Sequence, residues 1–292
     1  MDLDAMTGLV PMALLKAISL LAVWMFMISV GLAAAPERMT YLWRRPGLLA
    51  RALLAVFVCV PVLAVVLVVG LNLPRAARIG IVLMALSPAG PFSLQRSRKA
   101  GGQVEFARSL HLTLCLCAPV TIPLSLAVLG ALFPVRAEIP SGAVMGQLLV
   151  PQLIPLALGC FVGTVRPGLA ARITRPLEKI ALALLLVMAV LVLAETWRLV
   201  FSVGWGTVAA LVLMTAVSLA TGHLFGGPAP ETRTALAIAS AARYPGIALL
   251  AATVNFPRQG VGAVVLVYML VASLSITPYQ LWRRSSARRK GR

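Results

Sequence analysis

The chain has 292 residues, of which 60% are hydrophobic and 12% are charged. Its mean hydropathy of +0.97 excludes an ordinary water-soluble globule, because such domains carry about twice this share of charged residues. The net charge of +18 would suit a nucleic-acid-binding protein, but the positions of the basic residues indicate a different cause.

Nine mostly apolar segments approach or exceed the roughly 20 residues that a membrane-spanning helix requires. They are apolar throughout rather than at alternate positions, which favours helices over a β-barrel. We therefore predict an all-α polytopic membrane protein with nine transmembrane helices. In chain order the segments cover about residues 10–33, 48–71, 77–95, 103–132, 142–163, 179–197, 204–225, 234–254 and 260–282.

The basic residues follow the predicted topology. If the segments alternate in direction and the C-terminus is cytoplasmic, most of the 26 Lys and Arg residues lie on the cytoplasmic side, including those of the tail 283–292. A cytoplasmic excess of this kind orients membrane proteins. It predicts an integral protein of a bacterial inner membrane with its N-terminus outside. We expect the tail to contact anionic lipid and expect no nucleic-acid partner.

Two of the segments are interrupted near their middle by proline and glycine. The first break contains Pro88, Gly90 and Pro91, and the second contains Pro245 and Gly246. Each break lies in the third segment of a set of four, and the two sets start on opposite sides of the membrane. Paired breaks in an inverted repeat indicate the binding site of a secondary transporter.

The repeat divides one transmembrane domain, residues 1–292, into two related parts. The first repeat covers about residues 10–132 and the second about 179–282, and segment 142–163 is unpaired. The short connections leave little room for a separate soluble domain.

A cation lies in the second break. Arg243 is deep in an apolar segment, where a charge is costly and usually functional. Its planar guanidinium suits a carboxylate, sulfonate or phosphate, so we expect a small organic anion as the substrate. Alternatively, Arg243 satisfies the carbonyls that Pro245 leaves without donors, and the two roles can coexist.

Other polar side chains near the breaks are candidate substrate contacts. His111 either carries a proton that is coupled to transport or serves only as a neutral hydrogen-bonding group. The remaining candidates are Ser87, Ser93, Gln95, Ser240 and Tyr244. No catalytic pair is present in a recognisable motif, and we expect neither enzyme activity nor a cofactor or metal.

The residues around the breaks resemble the bile acid:sodium symporter family. Leu86–Gly90 and Lys99–Val104 are similar to its Pro-Gly-Gly and Lys-Gly-Asn-Val segments, and Ala237–Ala248 is similar to its second crossing helix. The resemblance covers about residues 12–282. It implies the nine-helix form of this fold, with a core bundle from segments 2–4 and 7–9 and a panel bundle from segments 1, 5 and 6.

This chain is a divergent member by that resemblance, because it lacks most of the family's sodium ligands. The family's ligand positions in the helices before and within the first break correspond to Val56, Ser93 and Leu94. Those in the next helix and in the second crossing helix correspond to Ala107, His111, Ala239, Arg243 and Tyr244. Ser93 alone keeps a family side chain, so the remaining set is a degenerate sodium site.

We therefore predict a secondary transporter that moves a small organic anion by alternating access, with Arg243 in place of a family sodium ion. Facilitated, proton-coupled and exchange transport all remain open. The alternatives are a genuine sodium-coupled symporter of organic anions or bile acids, and a channel or non-transporting sensor on the same fold. The sequence leaves the substrate, the coupling ion, the direction and the oligomeric state undetermined.

Overall fold

The computed structural model describes residues 11–34, 36–132, 141–256 and 259–290. Every regular element in these ranges is helical. The helices are α1 Met12–Ala33, α2 Pro36–Trp43, α3 Pro46–Leu54, a π-helical turn Ala55–Cys59, α4 Val60–Gly70, α5 Arg75–Leu86, α6 Pro91–Lys99, α7 Val104–Leu132, α8 Ser141–Val165, α9 Pro167–Ser202, α10 Trp205–Phe225, α11 Pro230–Ala241, α12 Pro245–Asn255 and α13 Val261–Lys290.

Five stretches of the described chain are long and apolar enough to cross a membrane by length and composition. They are Met12–Ala33, Pro46–Gly70, Pro167–Val200, Trp205–Phe225 and Val261–Ser286. The broken segments do not meet this criterion, because each is divided into helices of 9 to 12 residues. The all-helical prediction is confirmed for the described residues, and the five stretches are consistent with a polytopic membrane protein. The nine spans and the inverted repeat stay predictions.

Proline explains where several helices begin, and hydropathy alone misses these starts. Pro36, Pro46 and Pro167 each open a helix, where the missing N–H costs nothing and the fixed φ angle favours the first turn. Helix α9 therefore begins well before the predicted residue 179, and α2 is not predicted at all. The basic tail is likewise helical as far as Lys290. Residue 10 of the first predicted segment and residues 291–292 of the tail lie outside the described residues.

The helices pack in two groups. Helix α1 packs along α8 and α9, while α10 packs against α11 and α13, and α5 packs against α4 and α13. The α1–α8 contact is close: a Cβ atom at Gly31 would lie 2.4 Å from the carbonyl oxygen of Leu156, and one at Gly159 would lie 2.4 Å from that of Ile28. The two groups touch where α1 meets α12 and where α9 meets α13.

Candidate functional site

The two proline-containing breaks meet directly in the fold. Helix α5 ends at Leu86 and α6 begins at Pro91 of the first break, while α11 ends at Ala241 and α12 begins at Pro245 of the second break. Ala89 and Arg243 form an isolated antiparallel bridge. The N–H of Gly90 donates to the carbonyl of Ala242, and the N–H of Tyr244 donates to that of Pro88, both at 2.8 Å. The extended backbone of each break thus satisfies one backbone hydrogen-bonding group of the other break.

Gly90 permits this close crossing. A Cβ atom at this position would lie 3.2 Å from the carbonyl oxygen of Arg243 and 3.4 Å from the Cα of Tyr244. These contacts are with backbone atoms, so a larger side chain would push the two breaks apart. The glycine of the first break therefore has a packing role that follows from the bridge.

Proline leaves two carbonyls without their helical donors near the bridge. Pro91 has no N–H, so the carbonyl of Ser87 loses the partner it would have in a continuous helix. The other case arises in the π-helical turn, where the N–H of Val60 bonds the carbonyl of Ala55, five residues back. Pro61 comes next and cannot repeat this bond, which leaves the carbonyl of Val56 without a donor.

Arg243 donates to both of these carbonyls. Its Nη1 lies 3.0 Å from the oxygen of Ser87 and its Nη2 lies 3.1 Å from the oxygen of Val56. The side chain is 5% exposed. One guanidinium therefore joins the first break to the π-helical turn, and its rigid fork allows both bonds at once.

The charge of Arg243 is not neutralised by these bonds. Both acceptors are backbone carbonyls, and among the described residues its Nε has no hydrogen-bond partner. Because carbonyl dipoles do not cancel a full positive charge, this buried cation favours a nearby anion.

The carbonyl that Pro245 leaves without a donor is that of Ala241, and the side chain of Arg243 does not bond it. The hydroxyl of Tyr268 in α13 donates to this oxygen at 2.7 Å, and the backbone N–H of Arg243 approaches it at 3.2 Å. The alternative interpretation, in which the Arg243 side chain satisfies the carbonyls that Pro245 leaves without donors, is therefore wrong, because this side chain bonds the carbonyls of Ser87 and Val56. Sequence reasoning also missed Tyr268, whose hydroxyl-bearing ring in an apolar segment was the available signal.

Hydrocarbon side chains occupy four of the positions to which the family resemblance assigns sodium ligands. Val56, Ala107 and Ala239 are buried in one apolar cluster with Ala89, and Leu94 packs against it. Ser93 is also buried, at 4% exposure. Sodium binds oxygen ligands, and these alanine, valine and leucine side chains supply none.

An aromatic row connects the second break to α1 and α7. The ring of Tyr244 stacks on Phe26 with centroids 4.2 Å apart, and Phe26 meets His111 edge-on at 6.1 Å. The Tyr244 hydroxyl and His111 Nδ1 have no hydrogen-bond partner within the described chain. Gly246 makes room for the tyrosine, since a Cβ there would lie 2.4 Å from its ring.

The predicted substrate contacts Ser87, Ser240 and Gln95 differ in burial and in hydrogen bonding. Ser87 donates its hydroxyl to the carbonyl of Leu83 at 2.9 Å, so its side chain serves its own helix. The hydroxyl of Ser240 is buried and has no partner among the residues described. Gln95 is exposed, which does not fit a role in a closed binding site at the bridge.

A cavity of about 230 Å³ lies beside the bridge, where α6 and α13 approach α9. Its polar lining residues are Arg96, Arg243, Tyr268 and Ser273, and no acidic residue of the described ranges lines it. Of the substrate contacts predicted from sequence, only Arg243 lines this cavity. The other lining residues are Gly90, Phe92, Leu186, Ala242, Pro245, Met269, Ala272 and Ile276.

Comparison with known proteins agrees with this architecture. The model of the Sodium Bile acid symporter family matches residues 20–203. The Sodium-dependent organic anion transporter of Mus musculus is 26% identical over 215 residues, which are 73% of this chain and 56% of that protein. Its Rattus norvegicus counterpart is 26% identical over 211 residues, which are 72% of this chain and 55% of that protein.

The P3 protein of Homo sapiens is 27% identical over 160 residues, which cover 54% of this chain and 33% of that protein. The chain thus spans about half the length, or less, of the curated relatives it matches. Members of the matched family are membrane transporters rather than enzymes. The family match over more than half of the chain, together with the apolar helices, shows that this integral membrane protein belongs to the sodium bile acid symporter family.

Proposed function

We propose that the chain is a secondary transporter of small organic anions, in which Arg243 permanently replaces a sodium ion used by its family. The observation that carries this proposal is the fork from its guanidinium to the carbonyls of Ser87 and Val56. In the family resemblance, Arg243 and Val56 both correspond to sodium-ligand positions. A fixed cation therefore lies against backbone oxygen where a bound cation is expected.

Electrostatics supports this replacement over the binding of sodium beside Arg243. Two positive charges about 4 Å apart repel by about 4 kcal/mol at an effective dielectric constant of about 20. Sodium would need strong oxygen ligands to overcome this repulsion, but Val56, Ala107 and Ala239 offer only hydrocarbon side chains there. The same positive charge attracts an anion, which is the charge class carried by the organic anion transporters among the relatives.

Alternating access supplies the transport step in this proposal. The bundle that contains the bridge would rock against the panel of α1, α8 and α9, with the inverted repeat of nine spans relating its two halves. The bilayer orientation follows the basic residues, with the N-terminus outside and the C-terminus in the cytoplasm. The cavity beside the bridge adjoins α9, so relative motion of the two bundles would change its access.

Counterflow in proteoliposomes tests the proposed function. Short monocarboxylates, dicarboxylates and sulfonates would first be screened for stabilisation of the purified protein, since a ligand of the native state raises its apparent stability. We expect the selected anion to enter faster when the vesicles are preloaded with it, equally in sodium and in choline. An absolute requirement for sodium would favour the coupled symporter. Flux without acceleration by preloading would favour a channel, and the absence of flux would favour a sensor.

A further inference from the structure

We infer that the cavity beside the bridge binds an organic dianion and that Arg96 is its second anion-binding residue. This inference rests on the proposed function and specifies the substrate class of the same site. The sequence analysis interprets Arg96 only as one of the many basic residues predicted on the cytoplasmic side. The structure places it in the same cavity lining as Arg243.

The position of Arg96 is fixed by its helix and by one hydrogen bond. It lies six residues after Gly90, a rise of about 9 Å along α6. Its Nη1 donates to the carbonyl of Ser273 in α13 at 3.2 Å, and its side chain is half-buried. This bond uses one of the five N–H donors of a guanidinium and orients the group across the α6–α13 contact.

The charges of the cavity are unbalanced. None of its lining residues that the structure describes is acidic, whereas Arg96 and Arg243 both line it. A monoanion would neutralise one of them, whereas a dianion would pair with both in surroundings where charge-assisted bonds are strong. The offset between Arg96 and the bridge favours negative groups at the two ends of the substrate over two charges on one atom.

The size and apolar lining specify the substrate skeleton. At about 230 Å³ the cavity is smaller than the roughly 300–1,000 Å³ of pockets for drug-sized ligands. Phe92, Leu186, Met269 and Ile276 are apolar residues of the same lining. A short dicarboxylate fits these features better than a steroid with four fused rings.

Succinate and butyrate test this inference, because they have the same number of carbon atoms and differ by one carboxylate. Calorimetric titration of the purified protein is expected to show succinate binding at least about tenfold more tightly. Arg96→Gln should remove this difference by weakening succinate binding at least about tenfold more than butyrate binding, and Arg96→Lys should retain part of it. Arg98→Gln is the matched control, because Arg98 is exposed on the same helix and does not line the cavity.

Three results would overturn the inference. Equal affinity of the native protein for the two anions is one, and equal effects of Arg96→Gln and Arg98→Gln are another. The third is the absence of succinate binding by the native protein. Counterflow with a different anion would show in each case that the transport proposal itself stands. As a folding control, Arg96→Gln without ligand should have the same unfolding temperature as the native protein. If its unfolding temperature is lower, the comparison of succinate with butyrate is made with Arg96→Lys instead.

Discussion

Arg243→Gln should destabilise the purified protein and abolish anion counterflow. The substitution removes the donors of two buried carbonyls, those of Ser87 and Val56. A hydrogen bond to a charged group contributes about 1.5–3 kcal/mol, so the loss of both should cost about 3–6 kcal/mol. Thermal and denaturant unfolding in the same detergent would measure this loss. Arg98→Gln, at an exposed position, should unfold as the native protein does.

Arg243→Lys separates the effect of the positive charge from that of the two hydrogen bonds made by the guanidinium. An ammonium keeps the positive charge but cannot reproduce the planar arrangement that reaches two separate carbonyls. We expect Arg243→Lys to retain weak binding of the anion and to recover little of the lost stability. A lysine variant as stable as the native protein would show that the charge alone contributes to stability and that the two hydrogen bonds to Ser87 and Val56 do not.

Gly31→Ala should separate α1 from α8 and lower both the stability and the yield of folded protein. The added Cβ would lie 2.4 Å from the oxygen of Leu156, 2.7 Å from the nitrogen of Cys160 and 2.8 Å from the Cα of Gly159. All three are backbone atoms, so no side-chain rotation relieves the overlap. Overpacking of this kind costs about 1–3 kcal/mol, and more where helices cannot shift. Unfolding in detergent would measure the effect.

Gly70→Ala is the matched control for the α1–α8 contact. A Cβ at Gly70 would meet no atom within 4 Å, and the residue also lies in an apolar helix, α4. It should therefore change stability by less than about 1 kcal/mol. If Gly31→Ala were equally harmless, the close packing of α1 on α8 would be wrong.

Hydropathy and prolines predicted much of the architecture. The apolar segments fall on the helices of the structure, and the two Pro/Gly breaks predicted where helices are interrupted. Helix α2 was missed because it is short and amphipathic, and the early start of α9 was missed because its first turns are polar. Both begin at prolines, which was the signal that a hydropathy criterion does not use.

The contacts of the site could not be predicted from local sequence. Arg243 was identified by its cost in an apolar segment, but its bond to Val56 depends on a π-helical turn and on how that turn packs against α11. Arg96 was interpreted only as one of the basic residues that orient the protein in the membrane, because its position in the sequence resembles that of the others. Only the packing of α6 on α13 places it in the cavity lining.

Thermal unfolding of the native protein in sodium and in choline tests the central claim most directly. Sodium bound to the native state at 100 times its dissociation constant would add about 2.7 kcal/mol of stability. We predict no shift between the two salts, and stabilisation by an anion that Arg243→Gln abolishes. A clear increase in unfolding temperature in sodium would contradict the account, because it would mean that a sodium site persists beside Arg243.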